Sequence, residues 1–524
     1  MTGRVDAKTL KTWLSDGGEI ALLDVREYGR YGEGHLFFAV SLPYSRFELG
    51  LPSLVPNSAT RLVLCEEGDG VADRAASRAA SLGYGNVHVL AEGIAGWKTA
   101  GYSVYAGVNV PSKAFGELVE LERHTPRITA DELQAMRESH EDMVIVDGRT
   151  FAEFQKMNIP DGICCPNGEL ALRIRELVPD PKTKIVVNCA GRTRSIIGAQ
   201  TLIDFGVPNP VVALENGTQG WFLAGLKLEN GAARRYDGGR RKDSGALRTR
   251  ARAIAEARGV AFVSPEHVNQ WLADARRTTY LLDVRTPEEF AENAPAGFVH
   301  APGGQLVQTT DHWIGTRGAR IVLLDDEQVR APMTAQWLRQ LGHEAYVLEG
   351  GVSSAAQVRA PRATAVQDRP DPEPITAAEL GKRLSDQSAQ VIDLRASMSY
   401  RKEHIDGAAW SIRPLMSANP ARTVVLVADQ PEIAALAALD LAEAGCRDVR
   451  LLSGGHAAAR AAGLQMVATP GDPPDADCID FLFFTAKRHE GDEAAARQYL
   501  TWEIGLVDQL DEAERNSFRI AGAL

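Results

Sequence analysis

One pattern, an apolar strand that ends in Asp-x-Arg, occurs four times in the 524-residue chain. After each occurrence the sequence continues with a Gly- or Pro-bearing turn, a second apolar strand, and an Ala- or Leu-rich helix that a glycine ends. An internal repeat of about 100 residues indicates copies of one folded unit. The strand motifs are Leu22–Arg26, Ile145–Arg149, Leu281–Arg285 and Val391–Arg395, and the helix-ending glycines are Gly83, Gly206, Gly342 and Gly445.

Within each copy, strands alternate with helices, which is the pattern of a parallel sheet covered by helices on both faces. A chain of this length also exceeds what one hydrophobic core can hold. The sequence therefore predicts an α/β protein of four tandem, doubly wound parallel-sheet domains. The predicted domains are 1–106, 127–230, 261–360 and 373–467, with a helical connector at 107–126, a basic and helical linker at 231–260, and a helical C-terminal tail at 468–524.

The spacing within the copies identifies equivalent positions. In the second copy Cys189 lies 42 residues after Asp147 and 17 residues before Gly206. Counted from the Asp of the strand motif and from the helix-ending glycine, these two distances lead to the same residue in the first copy, and likewise in the third. In the shorter fourth copy the distance from the helix-ending glycine gives the position. Only the second copy carries a nucleophile there. The four equivalent residues are Glu66, Cys189, Asp325 and Ala428.

Cys189 follows an apolar strand and precedes a short loop and a helical pattern. A cysteine at a helix N-terminus faces backbone N–H groups and the positive end of the helix dipole, which favour the thiolate. Because Arg192 and Arg194 add positive charge, we expect the thiol to ionise well below neutral pH. Such a loop also forms a nest of N–H groups for a small anion. The predicted anion-binding residues are Ala190, Gly191, Arg192, Thr193, Arg194 and Ser195.

Other cysteines compete with Cys189 for a chemical role. Cys65 lies one residue before Glu66, but its loop is acidic. Since carboxylates raise a thiol pKa and repel anions, we interpret Cys65 as an inert thiol at a strand end. Cys164 and Cys165 offer either a resolving thiol for Cys189 or, more simply, buried packing. No histidine or cysteine pattern has metal-site spacing, and no metal or organic cofactor is expected.

Several of these motifs resemble those of the rhodanese family. They are the Asp-x-Arg pair, the glycine turn, the strand–Cys–loop–helix of the second copy, and a closing Gly-x-x-x-Trp at Gly93–Trp97 and Gly217–Trp221. The resemblance covers nearly the whole chain as four copies, an arrangement similar to that of bacterial tandem-domain thiosulfate sulfurtransferases. It implies four rhodanese-like domains, of which the first, third and fourth are degenerate.

The resemblance implies a sulfurtransferase without a cofactor. In that chemistry the Cys189 thiolate attacks the outer sulfur of thiosulfate, releases sulfite and becomes a persulfide, and a thiol or cyanide then takes the terminal sulfur. Loop N–H groups would stabilise the persulfide, and Arg192 and Arg194 would orient the sulfonate end of the donor.

Two further features of the second copy have a supporting role by resemblance. Asp147 and Arg149 would brace the active-site loop, with Glu153 as a partner of Arg149. Because the copies without a nucleophile keep the same pair, a role in folding alone is the stronger interpretation. Trp221 either walls the pocket or belongs to the core.

Other functions stay open at this point. Cysteine phosphatases with a rhodanese-like fold use Cys-x5-Arg, whereas Cys189 and Arg194 form Cys-x4-Arg and Ser195 stands where the arginine would be needed, so a phosphatase or arsenate reductase is a weaker alternative. Two alternatives remain compatible with the motifs. One is a sulfur relay fed by an organic persulfide, and the other is an adaptor that binds a protein through its degenerate domains.

The composition of the chain limits the classes of binding partner and the cell compartment that we expect. The formal net charge of −12 argues against a nucleic acid bound through a basic surface. No apolar run has the length of a membrane span and no signal-peptide core is present, so we expect no membrane association. Six cysteines in so long a chain do not make a disulfide framework, and the cytoplasm is the predicted location.

Segments outside the copies predict connections rather than chemistry. A basic patch at 234–242 is a solvated linker or a surface that draws anions. Helices are expected around 115–121 and 246–258, and the Pro-rich stretch 369–374 is a stiff boundary. A tail helix over 493–510 presents an apolar face that packs on a domain or closes the interface of a homo-oligomer. That face consists of Tyr499, Trp502, Leu506 and Leu510.

Overall fold

The computed structural model describes residues 2–239, 244–360, 371–489 and 491–522. Its four parallel sheets lie in four successive domains of one architecture, as the repeats predict. Parts of two predicted segments, the basic linker at 240–243 and the extended boundary at 369–370, lie outside the described residues. The limits given above for the domains remain predictions.

The first half of the chain contains domains 1 and 2, joined by one long helix. Domain 1 comprises β1 (Gly3–Val5), α1 (Ala7–Trp13), β2 (Ile20–Asp24), α2 (Tyr28–Glu33), β3 (Val40–Ser41), α3 (Phe47–Leu54), β4 (Arg61–Cys65), α4 (Val71–Ser81), β5 (Val87–Leu90) and α5 (Gly93–Thr99). The connector is α6 (Val110–Arg123). Domain 2 comprises β6 (Arg127–Ile128), α7 (Ala130–Glu138), β7 (Met143–Asp147), α8 (Phe151–Lys156), β8 (Ile163–Cys164), α9 (Asn167–Leu177), β9 (Lys184–Asn188), α10 (Thr193–Phe205), β10 (Val211–Leu214) and α11 (Gly217–Leu223).

The second half contains domains 3 and 4 and the tail. After the linker helix α12 (Gly245–Ala257), domain 3 comprises β11 (Ala261–Val263), α13 (Pro265–Ala273), β12 (Thr279–Asp283), α14 (Pro287–Glu292), β13 (Val299–His300), α15 (Gly303–Gln308), β14 (Thr316–Arg317), β15 (Arg320–Leu324), α16 (Arg330–Gln340), β16 (Glu344–Leu348) and α17 (Val352–Ala355). Domain 4 comprises β17 (Glu373–Ile375), α18 (Ala377–Ser385), β18 (Ala389–Asp393), α19 (Ser397–Lys402), β19 (His404–Ile405), β20 (Ala409–Trp410), β21 (Thr423–Val427), α20 (Pro431–Glu443), β22 (Val449–Leu452), α21 (Gly455–Ala461) and β23 (Met466–Val467). The tail helices are α22 (Phe483–Ala486), α23 (Glu493–Ile504), α24 (Leu506–Gln509) and α25 (Glu512–Arg515).

The strand that precedes the nucleophile position lies at the centre of each sheet. The strand orders are β1-β5-β4-β2-β3, β6-β10-β9-β7-β8, β11-β16-β15-β12-β13 and β17-β22-β21-β18-β20, with parallel pairing throughout. In β9, four of the five residues are buried, because helices cover both faces of the sheet. Ligand sites of such sheets lie beyond the carboxyl ends of the central strands.

Two of the interfaces between domains join domain 2 to domain 3 and domain 1 to domain 4. Domains 2 and 3 meet at α9 and α15, where two glycines allow close backbone contact: a Cβ on Gly304 would lie 2.9 Å from the backbone nitrogen of Gly168. Domains 1 and 4 meet at a buried ion network. Arg413 donates to Glu48 of domain 1 (2.7 Å) and to Asp440 of its own domain (2.9 Å).

Domain 3 also lends a strand to the sheet of domain 1. β14 pairs antiparallel with the first half of β2, with Thr316 opposite Ala21 and Arg317 opposite Ile20. The Tyr280 hydroxyl of domain 3 donates to the carbonyl of Leu54, and the Gly315 N–H donates to the same carbonyl at 3.1 Å. Domains 1 and 3 are therefore joined by backbone hydrogen bonds.

The connector and the tail fill the space between the domains. On α6, Phe115 contacts Trp337 of domain 3 and Phe518 of the tail, with ring centroids 5.9 and 5.7 Å apart. The predicted tail helix over 493–510 is instead two helices, α23 and α24, which meet at Gly505. Its apolar face packs within the chain, and this outcome fits the first of the two predicted alternatives. Among the described residues, no helix is both long and apolar enough to cross a bilayer.

Candidate active site

Four glycines show that the spacing identified equivalent positions correctly. Each opens the last helix of its domain, or directly precedes it, with a φ between 53° and 56°. A Cβ on Gly217 would collide with the carbonyl oxygen of Cys189, and Gly93 and Gly351 have the same relation to the carbonyls of Glu66 and Asp325. In domain 4 the corresponding distance, from Gly455 to the carbonyl of Ala428, is 3.5 Å.

The close approach at Gly217 gives a stability prediction. Gly217→Ala adds both left-handed strain and a collision with the Cys189 carbonyl, whereas Gly225→Ala adds strain only, because nothing lies within 4 Å of its Cβ. We expect Gly217→Ala to cost about 2 kcal/mol more than Gly225→Ala. Urea denaturation midpoints of the two variants compare them directly, and equal midpoints would contradict the prediction.

Cys189 lies in the loop between β9 and α10, beyond the carboxyl end of the central strand. Its carbonyl accepts the Thr218 N–H at 2.8 Å, which fixes the backbone at the nucleophile. The residue is only 2% exposed. Ser195, in the first turn of α10, lies close enough to lower the pKa of the thiol, while its hydroxyl oxygen lies 2.8 Å from the carbonyl oxygen of Arg192. The thiol therefore lies at the dipole-positive end of α10, as predicted.

The expected ionisation of Cys189 below neutral pH is wrong for this structure. Burial raises the pKa of the thiol above its ordinary value, and Arg194 and Ser195 offset only part of that increase. The carboxylate of Glu503 adds a further increase. The prediction counted the helix dipole and the arginines but omitted desolvation, which is the larger effect for a fully enclosed thiol.

A pH profile tests this correction. Alkylation of Cys189 by a small neutral reagent requires the thiolate, so its rate should keep rising with pH beyond the ordinary thiol pKa of about 8.5. Peptide mass spectrometry separates Cys189 from the other cysteines during the titration. A rate that levels off below pH ~7 would show a low pKa and support the original expectation.

The two loop arginines have different environments. Arg194 donates to both carboxylate oxygens of Glu153, at 2.7 and 2.9 Å, and contacts Gln305 of domain 3 at 3.4 Å. Although burial opposes ionisation of Glu153, Arg194 lowers the pKa of this carboxyl to about 2. Glu153 therefore accepts its arginine hydrogen bonds from Arg194, and its predicted partnership with Arg149 is limited to attraction between the two charges. Arg194 remains the arginine whose charge acts on Cys189.

Arg192 faces the connector helix. Its guanidinium donates to Glu117 at 2.7 and 2.8 Å and also to Glu120, and the residue is only 4% exposed. This pairing differs from the predicted placement beside the sulfur. Because both oxygens of the Glu117 carboxylate accept hydrogen bonds from Arg192, the guanidinium charge is neutralised away from the anion site. Arg192 thus anchors the loop to α6.

The Asp-x-Arg pair has the same geometry in all four domains. Arg149 donates to the two oxygens of Asp147 at 2.9 and 2.7 Å and to the carbonyl of Met157 at 2.6 Å. Asn188, the last residue of β9, donates to Asp147 at 2.9 Å. The other three pairs repeat this pattern, and their second acceptors are the carbonyls of Gly34, Asn293 and Glu403. A pair kept in domains without a nucleophile serves the fold.

Trp221 lies in the core. It is 1% exposed, its indole N–H donates to the carbonyl of Lys227 at 3.0 Å, and it packs with Leu133 and Ile145. Trp97 makes the equivalent bond to Ser103 at 2.9 Å in domain 1. Of the two predicted roles, the structure favours packing.

In two sister domains a carboxylate lies in the loop cradle that Cys189 faces. The carboxylates of Glu66 and Asp325 accept backbone N–H groups four to six residues further along the chain. In domain 2 the same positions are Thr193 to Ser195, so the cradle that binds a carboxyl oxygen in two copies follows the nucleophilic cysteine in the third. The bonds run from Gly70 (3.2 Å) and Ala72 (3.0 Å) to Glu66, and from Val329 (3.1 Å) and Arg330 (2.8 Å) to Asp325.

The other cysteines are enclosed. Cys65 is opposite Asp24 in the sheet, as Asn188 is opposite Asp147, and so occupies the position before the nucleophile. Burial raises its pKa well above the ordinary value. Burial likewise raises the pKa of Cys164 to about 12 and that of Cys165 well above its usual range. All are free thiols, and the redox hypothesis stays a prediction.

One acidic cluster in the described residues is compact enough to share a cation. It consists of Glu289, Asp326 and Glu327 in domain 3. All three contact the guanidinium of Arg330, which is fully buried. The positively charged side chain of Arg330 therefore already occupies this cluster.

Sequence reasoning missed the residues that reach the loop from outside domain 2. The Thr193 hydroxyl donates to Glu503 at 2.9 Å, and a Cβ on Gly191 would lie 3.0 Å from the other oxygen of that carboxylate. Glu117 and Lys113 come from the connector. Nothing in the local sequence marks these residues, because they are separated from the loop by many tens or hundreds of positions.

The repeated domains and the structure of the whole chain are both similar to those of known proteins. The family model described as "Rhodanese-like domain" matches residues 6–100, 129–224, 264–357 and 376–462. A crystal structure described as a thiosulfate sulfurtransferase from Pseudomonas aeruginosa is similar over 99% of both chains, with 41% identity and a TM-score of 0.91.

Two partial matches involve single copies. The HTH-type transcriptional regulator Rv0324 of Mycobacterium tuberculosis is 36% identical over 105 residues, which are 20% of this chain and 45% of that protein. This chain thus matches less than half of that curated relative. The rhodanese-like domain of the Alr3790 protein from Anabaena sp. is 27% identical over 20% of this chain and 80% of its own, with a TM-score of 0.19.

Proposed function

This chain belongs to the rhodanese family, as four tandem copies of its domain, and we propose that it moves a sulfane sulfur from thiosulfate to a thiol or cyanide through a persulfide on Cys189. Only domain 2 supplies a thiol at the position that the four glycines make equivalent. The similar Pseudomonas aeruginosa structure, described as a thiosulfate sulfurtransferase, supports this choice of chemistry.

The observation that carries the proposal is the loop cradle. Its N–H groups donate to carboxyl oxygens of Glu66 in domain 1 and of Asp325 in domain 3, and Cys189 occupies the equivalent position in domain 2. A persulfide places its anionic terminal sulfur about one bond length beyond the cysteine sulfur, where a preorganised set of donors stabilises developing charge. In domains 1 and 3 a carboxyl oxygen thus occupies the place that we propose for the terminal sulfur in domain 2.

The first step exchanges one sulfur–sulfur bond for another. The Cys189 thiolate attacks the outer sulfur of thiosulfate, the bond to the sulfonate sulfur breaks, and sulfite leaves with that electron pair. Arg194 pairs with Glu153, as Arg192 pairs with Glu117, but it is the arginine whose charge acts on Cys189, and we assign it to the departing oxyanion. An acceptor thiol or cyanide then attacks the terminal sulfur and restores the Cys189 thiolate. Neither step needs a metal or an organic cofactor.

Mass spectrometry after exposure to thiosulfate tests the proposal. We expect a gain of one sulfur atom on the peptide that contains Cys189, removed again by cyanide with formation of thiocyanate. A glutathione persulfide donor, compared at equal concentration, decides whether an organic persulfide loads the site faster. If neither donor modifies Cys189, or if the sulfur appears on the Cys65 peptide, the proposal is wrong.

A further inference from the structure

The loop that carries Cys189 is covered by the tail. On α23, Tyr499, Trp502 and Glu503 face the loop and the connector, and we call these three residues the tail cover. Tyr499 and Glu503 are buried, although the tail has no place in the repeated domain. Tyr499 lies 3.6 Å and Glu503 3.0 Å from the position of a Cβ on Gly191.

The tail cover is held by one buried lysine and one hydroxyl. Lys113 of α6 donates to the Tyr499 hydroxyl, and its ammonium lies 4.6 Å from the Tyr499 ring centroid and 5.1 Å from that of Trp502. The Thr193 hydroxyl at the start of α10 donates to Glu503 at 2.9 Å. Because these contacts come from both the connector and the catalytic helix, α23 has a fixed position over the loop.

One carboxylate oxygen of Glu503 accepts a hydrogen bond from a described residue, and the other does not. Oε1 accepts from Thr193 and lies 3.7 Å from the Lys113 ammonium. Oε2 is buried without a hydrogen-bond partner among the described residues, on a side chain that is 2% exposed, and it faces Gly191. A buried carboxylate oxygen without a donor is unfavourable, so it indicates a ligand that brings one. That ligand has to reach the loop beside Cys189.

The charge of Glu503 also restricts which ligands are favourable. Glu503 lies against Gly191, two residues after Cys189, and its negative charge raises the pKa of the Cys189 thiol. An approaching anion, the thiosulfate donor as well as a sulfite acceptor, is repelled there, whereas a neutral group with an acidic hydrogen gains a hydrogen bond. A thiol is such a group. A sulfite ion, which can also accept the terminal sulfur, is not.

We propose that Glu503 determines acceptor specificity at the Cys189 site by taking the proton of an incoming thiol. This inference rests on the proposed function and deepens it. As the thiol sulfur attacks the terminal sulfur of the Cys189 persulfide, its S–H proton passes to Glu503 Oε2. A new sulfur–sulfur bond forms on the acceptor, the bond to Cys189 breaks, and the Cys189 thiolate leaves with that electron pair. Glu503 then returns the proton to solvent, and no oxidant or reductant is consumed.

The experiment measures the discharge of preloaded enzyme in single turnovers. Full-length protein carrying the Cys189 persulfide is mixed with either dithiothreitol or sulfite, and the remaining persulfide is followed by mass spectrometry. In Glu503→Gln, which keeps the shape of the side chain, discharge to dithiothreitol should fall about 100-fold, the lower range for a positioned base. Discharge to sulfite should rise by about tenfold, because a repulsive buried charge is gone.

A matched variant on the same helix is the control. Glu493→Gln removes an exposed carboxylate of α23 and should leave both rates unchanged. Equal losses with both acceptors in Glu503→Gln would show a purely structural role and overturn the inference, as would unchanged rates. If wild-type Cys189 cannot be loaded at all, both the proposed function and this inference fail. If loading is normal but Glu503→Gln has the same ratio of dithiothreitol to sulfite discharge rates as the wild type, only this inference fails.

Discussion

Cys189→Ala should abolish sulfur transfer from thiosulfate, with a loss of at least about 1,000-fold, because the covalent carrier itself is removed. No other described thiol is placed to replace it. Cys65 occupies the preceding strand position, and its Sγ contacts the carbonyl of Leu23 at 3.6 Å. Thiocyanate formation from thiosulfate and cyanide measures the loss.

Cys65→Ala provides the matched control. This substitution removes a fully buried thiol from the neighbouring copy, so it should cost some stability and retain transfer activity within about threefold. Circular dichroism on both variants separates loss of chemistry from loss of fold. Substantial activity in Cys189→Ala would show that the sulfur carrier lies elsewhere in the chain.

Arg330→Met should be among the most destabilising single substitutions in the chain, with an expected loss of about 3–5 kcal/mol. Arg330 is 0% exposed and pairs with carboxylates of Glu169 (3.0 Å) and Glu327 (2.7 Å), as well as with Glu289. Asp325 and Asp326 also face it. Removing the guanidinium leaves this group of buried carboxyl groups without its central cation.

The pH dependence of that loss has a definite sign. Burial raises the pKa of Glu289, but hydrogen bonding to Arg330 outweighs it and leaves this pKa below its usual value. A carboxyl with a depressed folded-state pKa stabilises the protein above its unfolded pKa, and this stability is lost as the pH falls through the folded one. The deficit of Arg330→Met should therefore be full at neutral pH and smaller in acid, near pH ~4.

Urea denaturation at the two pH values measures the effect. Arg276→Met is the control in the same domain, since its side chain is 90% exposed and pairs only with Asp274. Exposed pairs contribute about 0–1 kcal/mol, so this variant should unfold close to wild type. Similar midpoints for the two variants would contradict the role given to Arg330.

The repeats and the nucleophile could be predicted because the motifs that identify them lie close together in the sequence. Strand motifs, helix-ending glycines and fixed spacings lie within one copy, and they locate Cys189 and its sister residues Glu66, Asp325 and Ala428 without knowledge of the packing. The structure adds that the glycine of the closing motif is fixed by its contact with the nucleophile's carbonyl. That contact explains why a glycine occurs at this position in every copy, although the tryptophan of the motif is present only in the first two.

The environment of the site could not be predicted in the same way. Arg192 is separated from its partner Glu120 by 72 positions, and Thr193 is separated from Glu503 by 310. Packing of the connector and the tail decides these pairings, and no periodicity within domain 2 reveals them. The same packing encloses Cys189, which is why an argument from dipoles and nearby arginines gave the wrong direction for its pKa.

The pairing of β14 with β2 has a consequence for biosynthesis. Ile20 and Ala21 leave the ribosome long before Thr316 and Arg317, their hydrogen-bond partners. At ~5–20 residues per second the delay is roughly 15–60 s. Throughout this interval the nascent N-terminal domain exposes an unsatisfied strand edge, which is a template for wrong pairing with a neighbouring chain. Truncated polypeptides that end at the repeat boundaries would keep that strand edge unpaired. We therefore expect them to aggregate under conditions in which the intact polypeptide does not.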